Sequence, residues 1–235
     1  MIKIENTDVY GWEAAIRGAR NPMNSWDKCD SKFGCVDCQV CYYSACSVGD
    51  VDDDGCEIFH CDHVGLKLGP NDHKLLRNLT NAGPDHGKFM RMITVSLDIT
   101  APLYWWKEFD TYKVGTVANS CSTMHKIHAK EFTLDDFSLE HLNKEDLYIF
   151  EAYMHRMEAN RKFFLALADS EEKKQFWYRM IQLLPTSYNQ RRTVLLNYQV
   201  LKSMYHARKN HKLDEWHTFC DWIRGLPYSE LITGE

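Results

Sequence analysis

The stretch that decides the fold is "DHGKFMRMITVSLDITAPLYWWK", Asp85 to Lys107. Within it, apolar and polar residues alternate from residue 93 to residue 99. A period of two predicts a strand with one buried face. Thr100 can then cap a helix that tolerates Pro102 in its first turn, because the amide hydrogen that proline lacks would have no helical partner there. The sequence therefore predicts a strand that leads directly into a helix.

Outward from this strand, the chain predicts one further strand and a series of helices. The opening "MIKIE" alternates like a short strand, and "DVYGWEAAIRGAR" follows as a helix. "GPNDHKLLRNLTNAG" predicts a helix capped by Asn71 or Asp72, and Asp169 with Glu172 resembles a capping pair farther on. The predicted class is α+β, mostly helical. The helices expected in the C-terminal half are 145–168, 170–184, 190–210 and 213–224.

The composition is that of a globular domain. The 235 residues are 44% hydrophobic and 13% aromatic, which is enough for a core. The net charge of −5 argues against a basic face for duplex nucleic acid, although a local anion site needs only a few donors. The N-terminal residues lack the regions of a signal peptide, and no apolar run approaches the roughly 18 residues of a membrane span. We expect a single cytoplasmic domain over residues 1–235.

Residues 24–66 carry the most specific motif that spacing alone reveals. Cysteine, aspartate and glycine dominate with little helical periodicity, which predicts an inserted loop module. In a reducing compartment, clustered cysteines are more often metal ligands than disulfides. A C-x2-C-x2-C run followed by a second Cys/His cluster can close a tetrahedral zinc site. The candidate ligands are Cys35, Cys38, Cys41, Cys56, His60, Cys61 and His63.

Three alternatives remain for this module. Cys29 and Cys46 are spare, so two ions are conceivable, and an iron–sulfur cluster or free thiols in a loop are the other interpretations. "VDDDG", Val51 to Gly55, is typical of a hairpin tip and offers too few ligands for a calcium loop.

A second unusual segment is "YWWKEFDTYKVGT", Tyr104 to Thr116, which mixes aromatic and charged residues. A flavin or pyrimidine site needs flat apolar walls for stacking and a few fixed polar groups. Trp105, Trp106 and Tyr112 could supply the walls, and Lys107 and Lys113 the charge. The alternative is a helix that packs its tryptophans into a subunit interface.

The order of elements resembles the flavin-dependent thymidylate synthases. The resemblance rests on a helix, "AG", Asp85–His86, the alternating strand and the following helix, and then on a helical half with "LLP" and "NYQVL". In that family a Glu-His pair opens the strand, as Asp85–His86 does here. The later family pattern is similar to Leu184-Pro185, Asn197, Gln199, Leu201 and Arg208. The resemblance covers residues 1–23 and 66–224 and leaves the cysteine module outside.

The family's signature motif for flavin and nucleotide phosphate is degenerate in this chain. Its initial Arg-His-Arg falls on Trp105, Trp106 and Lys107. Without a gap, the rest of the motif falls on Asp110, Tyr112, Lys113, Gly115, Val117 and Ala118. With two helical turns inserted it falls instead on Asn119, Ser120, Ser122, Met124 and His125. The second placement, which keeps an asparagine and a serine, is preferred.

The resemblance implies an enzyme that methylates a deoxyuridine monophosphate-type nucleotide, with FAD, methylenetetrahydrofolate and NADPH, in a homotetramer with sites at subunit interfaces. On this hypothesis one group of residues binds the flavin: His86, Trp105, Trp106, Lys107, Tyr112 and Lys113. A second group binds the nucleotide: Asn119, Ser120, Ser122, His125, Asn197, Gln199 and Arg208. The alternative is a repurposed member of the fold that is non-catalytic or modifies another pyrimidine nucleotide, with the zinc module binding a partner.

Overall fold

The computed structural model describes residues 2–35, 48–51, 57–59 and 64–235. The chain divides into two compact units. The first unit contains the chain up to residue 9, residues 94–233 and residue 235, and the second contains residues 10–93 and 234. In the described part, no helix is both long enough and apolar enough to span a membrane.

Regular structure is distributed over the whole described chain, with helices supplying the larger share. The strands are β1 (Lys3–Tyr10), β2 (Lys32–Cys35), β3 (Val48–Val51), β4 (Glu57–Phe59), β5 (Val64–Lys67), β6 (Thr94–Pro102), β7 (Val117–Ser120) and β8 (Asn189–Asn197). The helices are α1 (Trp12–Arg20), α2 (Pro70–Asn81), α3 (Leu103–Phe109), α4 (Lys144–Ala166), α5 (Glu171–Gln182), α6 (Tyr198–Arg208), α7 (Asp214–Arg224) and α8 (Glu230–Thr233).

The first unit is built on a four-stranded sheet with the strand order β1-β6-β8-β7. β8 pairs antiparallel with both β6 and β7. The predicted strand at 93–99 is confirmed as β6, in which every second residue is buried. The predicted helix 190–210 is wrong in its first half, because residues 189–197 form β8 and only residues 198–208 are helical. β8 alternates buried Val194 and Leu196 with exposed residues, which is a strand pattern.

Two hydrophobic clusters support this sheet. Helix α3 packs Trp105 against Trp216 of α7, with ring centroids 4.8 Å apart. Helices α4 and α5 form a second cluster with the segment that precedes them, in which Met157 and Met180 are fully buried. The expected helices in this half are therefore confirmed apart from the β8 segment, although Ser170 rather than Asp169 caps α5.

The second unit holds α1, α2 and the antiparallel pairs β2–β5 and β3–β4. Its central contact is a buried ion pair in which Arg20 Nε donates to Asp72 Oδ1 at 2.6 Å. Asp72 is thus not a cap of its own helix. The N-terminus of α2 is capped from a distant part of the chain, because Asp30 accepts hydrogen bonds from the amides of Asn71 and Asp72 at 2.9 and 3.0 Å.

The predicted metal module falls mostly outside the described residues. Cys38, Cys41, Cys56, His60, Cys61 and His63 are not described, and of Cys35 only the backbone in β2 is. β3 and β4 pair antiparallel, and the predicted hairpin tip "VDDDG" lies outside the described residues apart from Val51. Within the described ranges, no three His, Cys, Asp or Glu residues are placed to hold a metal ion. The zinc assignment stays a prediction.

Candidate functional site

The predicted site residues of the first unit lie on α3, the loop 110–116, β7 and α6. The loop approaches the start of α6 closely at Gly115, whose φ of +81° favours glycine. A Cβ there would lie 2.9 Å from Asn197 Nδ2 and 3.0 Å from a methyl group of Val200. Asn197 in turn caps α6, because its Oδ1 accepts from the Val200 amide at 3.0 Å. One glycine and one cap therefore fix the loop against the helix.

Trp105 and Trp106 are core residues, with 0% and 1% of their surface exposed. The Trp105 ring lies within 6 Å of the rings of Trp106, Phe109, Trp216 and Phe219. The interpretation of these tryptophans as open walls for a flavin or pyrimidine is wrong for this chain, since a ligand cannot stack on a ring that the core already covers. The alternative of a tryptophan subunit interface is wrong for the same reason.

The ring of Trp106 is covered by Arg192, a residue that the sequence did not single out because β8 was taken for a helix. The Arg192 guanidinium lies 4.1 Å from the ring centroid and pairs with Asp110 Oδ1 at 2.7 Å. Trp106 Nε1 donates to the backbone oxygen of Gln190 at 2.9 Å. α3 and β8 are thereby joined by a cation–π contact, an ion pair and a hydrogen bond.

Arg208, the proposed phosphate clamp, is also engaged within the chain. Its Nη1 donates to Glu108 Oε2 at 2.6 Å, and its Nε donates to the Tyr112 hydroxyl at 2.9 Å. Its guanidinium lies 4.8 Å from the ring centroid of Trp216. Glu108 therefore already balances the charge of Arg208.

Glu108 is the organising residue of this cluster. Besides Arg208, its Oε2 accepts from Trp216 Nε1 at 3.2 Å and lies 3.2 Å from His211 Nε2. The Leu213 amide donates to His211 Nδ1, so the ring carries its proton on Nε2 and donates it to Glu108. Sequence analysis missed this role because Glu108 is one of several charges in a row and its partners are distant in the chain.

The nucleotide-binding candidates on β7 are exposed, since all residues of this strand are accessible. Asn119 pairs with Thr193 and Ser120 with Arg192 in the sheet register. Near Asn119, Asp98 accepts hydrogen bonds from Thr193, Arg191 and Asn6 at 2.5, 2.7 and 2.8 Å. These bonds, that from Thr193 foremost, hold the pKa of Asp98 well below its usual range. Asp98 is therefore ionised, and Arg191 balances its charge.

The remaining candidates differ in how free they are. Lys107, Lys113 and His125 are exposed, and among the described residues neither lysine has an ion-pair partner. Ser122 Oγ accepts from the His125 amide at 2.9 Å, which closes a local turn. Gln199 is half-buried near the start of α6.

His86 belongs to the second unit. It is exposed and lies in the turn before a 3₁₀ segment, where its amide donates to the Gly83 oxygen at 3.1 Å.

The chemistry available in the first unit is therefore that of polar recognition. Free lysines and the exposed amide and hydroxyls of β7 and the following turn can donate to an anionic, oxygen-rich ligand. Arg192 and Arg208, by contrast, are neutralised by Asp110 and Glu108. The sequence grouped this polar segment with the two tryptophans and Arg208, which in the fold are buried and paired with Glu108, respectively.

The comparison with known proteins places the architecture in one structural class. The sequence matches no family model. No curated protein matches it significantly either. The fold, a four-stranded sheet within a chain rich in helix, is similar to that of flavin-dependent thymidylate synthases.

Two solved structures carry this result. One is the flavin-dependent thymidylate synthase ThyX from Helicobacter pylori complexed with FAD and dUMP, with a TM-score of 0.61 and 14% identity over 99% of this chain and 98% of that chain. The other is thymidylate synthase X from the same organism with FAD and dUMP, with a TM-score of 0.59 and 14% identity over 100% and 98%. The fold expected from the sequence resemblance is thereby confirmed.

Proposed function

We propose that this chain is a flavin-dependent thymidylate synthase-like enzyme that binds FAD and a deoxyuridine monophosphate-type nucleotide. The observation that carries the proposal is the similarity, over nearly the whole of both chains, to a structure complexed with FAD and dUMP. The proposal includes methylenetetrahydrofolate as carbon donor, NADPH as reductant and a homotetramer with sites at subunit interfaces, which the resemblance implies.

The residues of this chain fit a phosphate-bearing ligand. Lys107 and Lys113 are exposed cations on and after α3, and Asn119 and Ser120 add an amide and a hydroxyl on β7. A lysine–phosphate hydrogen bond is charge-assisted and therefore roughly twice as strong as a neutral one. The buried tryptophans take no part, so among the candidates of the first unit Tyr112 and His125 are the ring-bearing residues that remain for contact with a flat ligand.

When bound, FAD would supply the reducing equivalents of the methylation. The role of the chain is to bind and orient. Lys107, Lys113 and Tyr112 are assigned to the flavin, while Asn119, Ser120, Ser122, His125 and Gln199 are assigned to the nucleotide. Asn197 and Arg208 position the site without touching the ligand. Asn197 caps α6, and Arg208 joins the end of α6 to Glu108 and Tyr112.

The test is direct binding of each ligand. Calorimetry with FAD, and with deoxyuridine monophosphate in the presence and absence of FAD, should give saturable binding by the wild type. Lys107→Ala should weaken FAD binding by about tenfold to a hundredfold, since a charged contact contributes about 1.5–3 kcal/mol. Lys212→Ala is a matched control, because Lys212 is exposed on the loop before α7. A wild type that binds neither FAD nor any pyrimidine monophosphate would refute the proposal.

A second function is favoured by the ion pairs at Arg192 and Arg208. Both arginines are neutralised by carboxylates of the same chain, Asp110 and Glu108. Such a scaffold suits a repurposed protein that binds a pyrimidine nucleotide without catalysing its methylation. Nucleotide binding without FAD binding, and without NADPH oxidation when all substrates are present, would identify this case.

A further inference from the structure

A cavity of the first unit lies where the end of α6 meets α7. Its volume is about 490 Å³, which is within the roughly 300–1,000 Å³ of small-molecule sites. Its lining contains none of the residues assigned above to the flavin or the nucleotide. Its polar side chains include those of Lys209, Asn210, His217, Asp221 and Arg224.

One side of α7 supplies most of this lining. His217, Asp221 and Arg224 follow one another at intervals of four and three residues, so they lie along one stripe of the helix. Cys220 lines the cavity beside them and is 1% exposed. Burial raises the pKa of its thiol to about 11, so Cys220 adds no negative charge at neutral pH.

Positive charge predominates at the cavity, because Lys209 and Arg224 face a single lining carboxylate, Asp221. Lys209 is exposed and has no ion-pair partner among the residues that the structure describes. Arg224 pairs with Asp221 through Nη1, and its Nε donates to the Tyr205 hydroxyl at 3.2 Å. In the described part of the chain its Nη2 has no acceptor, so this nitrogen can donate to a ligand.

The loop between α6 and α7 is fixed beside these cations. His217 Nε2 lies 2.7 Å from the backbone oxygen of His211, and a carbonyl only accepts, so the His217 ring donates this hydrogen bond. The His211 side chain is held from the other direction by Glu108. Asn210 is exposed on the same loop and lines the cavity, where its side-chain amide can donate.

The helix dipole by itself does not explain this arrangement. Lys209 directly follows α6 and Arg224 lies in the last turn of α7, and a cation is favourable at either position. This effect accounts for each cation separately. It does not account for a cavity that brings both cations and an amide donor together.

We propose that this cavity binds the phosphate group of a small phosphate ester through Lys209, Asn210 and Arg224 Nη2. A carboxylate is held best by two parallel N–H groups of one guanidinium, but Asp221 and Tyr205 already use part of the Arg224 fork. A phosphate offers three acceptor oxygens, which separate donors can reach one by one. The cavity volume leaves room for the group that carries the phosphate. The proposal is independent of the flavin and nucleotide assignments, which use other residues.

Calorimetry of the full chain with ribose 5-phosphate, a phosphate ester without a base, tests the proposal. The wild type should bind it at one site per chain, and less tightly as the salt concentration rises. Lys209→Ala should weaken binding by about tenfold or more, the effect of one lost charge-assisted contact. Asp221→Asn should instead strengthen binding, because Asp221 repels phosphate and occupies Nη1 of Arg224. A general loss of stability cannot produce these opposite changes.

Lys212→Ala is the matched control, because Lys212 is an exposed lysine of the same loop that does not line the cavity. It should bind as the wild type does. In nuclear magnetic resonance spectra of the wild type, the side-chain amide of Asn210 should shift as ribose 5-phosphate is added. A wild type that does not bind, or equal weakening in the Lys209 and Lys212 variants, would overturn the proposal. Binding that is lost in Lys107→Ala but kept in Lys209→Ala would also overturn it, by placing the phosphate in the flavin site proposed above.

Discussion

At the scale of single residues, Glu108 joins α3 to the end of α6 and to α7 through one carboxylate. Glu108→Gln should lower the free energy of unfolding by about 1.5–3 kcal/mol, because Arg208 loses a charged partner in a half-buried position. Denaturant titration at neutral pH measures this loss. Glu131→Gln is the control, since Glu131 is exposed. Equal stability of the two variants would show that the cluster contributes nothing.

Asp72 should make stability depend on pH in the acidic range. Burial raises its pKa, but hydrogen bonds from Ser31, Arg20 and Cys29 outweigh burial and lower the pKa to about 2. Because the folded pKa lies below the unfolded value, the stabilisation is fully present above about pH 4 and is lost as the pH falls through about 2. Acid unfolding should therefore include a contribution from this carboxylate.

The variant Asp72→Asn tests this contribution. At neutral pH it should cost about 3–5 kcal/mol, since it leaves the buried Arg20 unpaired. The difference between wild type and variant should narrow as the pH falls from about 5 towards about 2. Asp85→Asn, at an exposed position, should show no such pH dependence. A difference that stays constant over this range would contradict the assignment.

At the scale of elements, the start of α6 depends on Asn197. Asn197→Ala should cost about 1 kcal/mol through loss of the cap, and it should also free the loop that Gly115 presses against this side chain. Asn143 caps α4 in the same way, because its Oδ1 accepts hydrogen bonds from the amides of Glu145 and Asp146. Asn143→Ala is therefore the control variant, which removes a cap that holds no loop. Limited proteolysis within 110–116 should increase in the first variant only. Cleavage increased equally in both would mean that the cap does not hold the loop.

Sequence patterns identified elements where local periodicity and tertiary environment agree. β6 is such a case, because its apolar and polar residues alternate and one of its faces is buried. β8 was missed because Gln190, Arg191 and Arg192 suit a helix, while its position between β6 and β7 imposes a strand. Propensity is a weak prior that such pairing overrides.

The same limit explains the site. The polar segment after α3 could be found from composition, since its polar and charged residues are mostly exposed in the fold. The role of Trp105 could not be predicted from the sequence, because an aromatic run suits a ligand-stacking wall and a hydrophobic core equally well. The fold decides between them by packing Trp216 and Phe219 against Trp105. The partner of Arg208 could not be predicted either, because Glu108 lies one hundred positions away in the chain. Contacts of this separation leave no local signal.

At the scale of the whole molecule, each unit has a core of its own. The unit built on the sheet buries α3 against α7, and the unit with residues 10–93 buries Leu76 and Ile16 on its helices. Substitutions in the cysteine module should therefore lower the stability of the second unit before that of the first. The Arg20–Asp72 pair joins α1 to α2, and Asp72 also accepts a hydrogen bond from the amide of Ser31 in the first part of the module.

The cysteine module of the second unit is predicted to bind zinc. Elemental analysis should find about one or two zinc ions per chain if the cysteine clusters close a tetrahedral site. Cys35→Ser with Cys38→Ser should lower that content, while near-UV circular dichroism from the tryptophan cluster of the first unit stays unchanged, since Trp105 and Trp216 lie outside the second unit. Cys220→Ser, a buried cysteine of α7, is the matched control and should leave the zinc content as it is. Removal of zinc by a chelator should make residues 24–66 sensitive to protease, because a segment with few core-forming residues needs the metal to stay folded. A metal-free wild type in which this segment resists protease would show that the cysteines have another role.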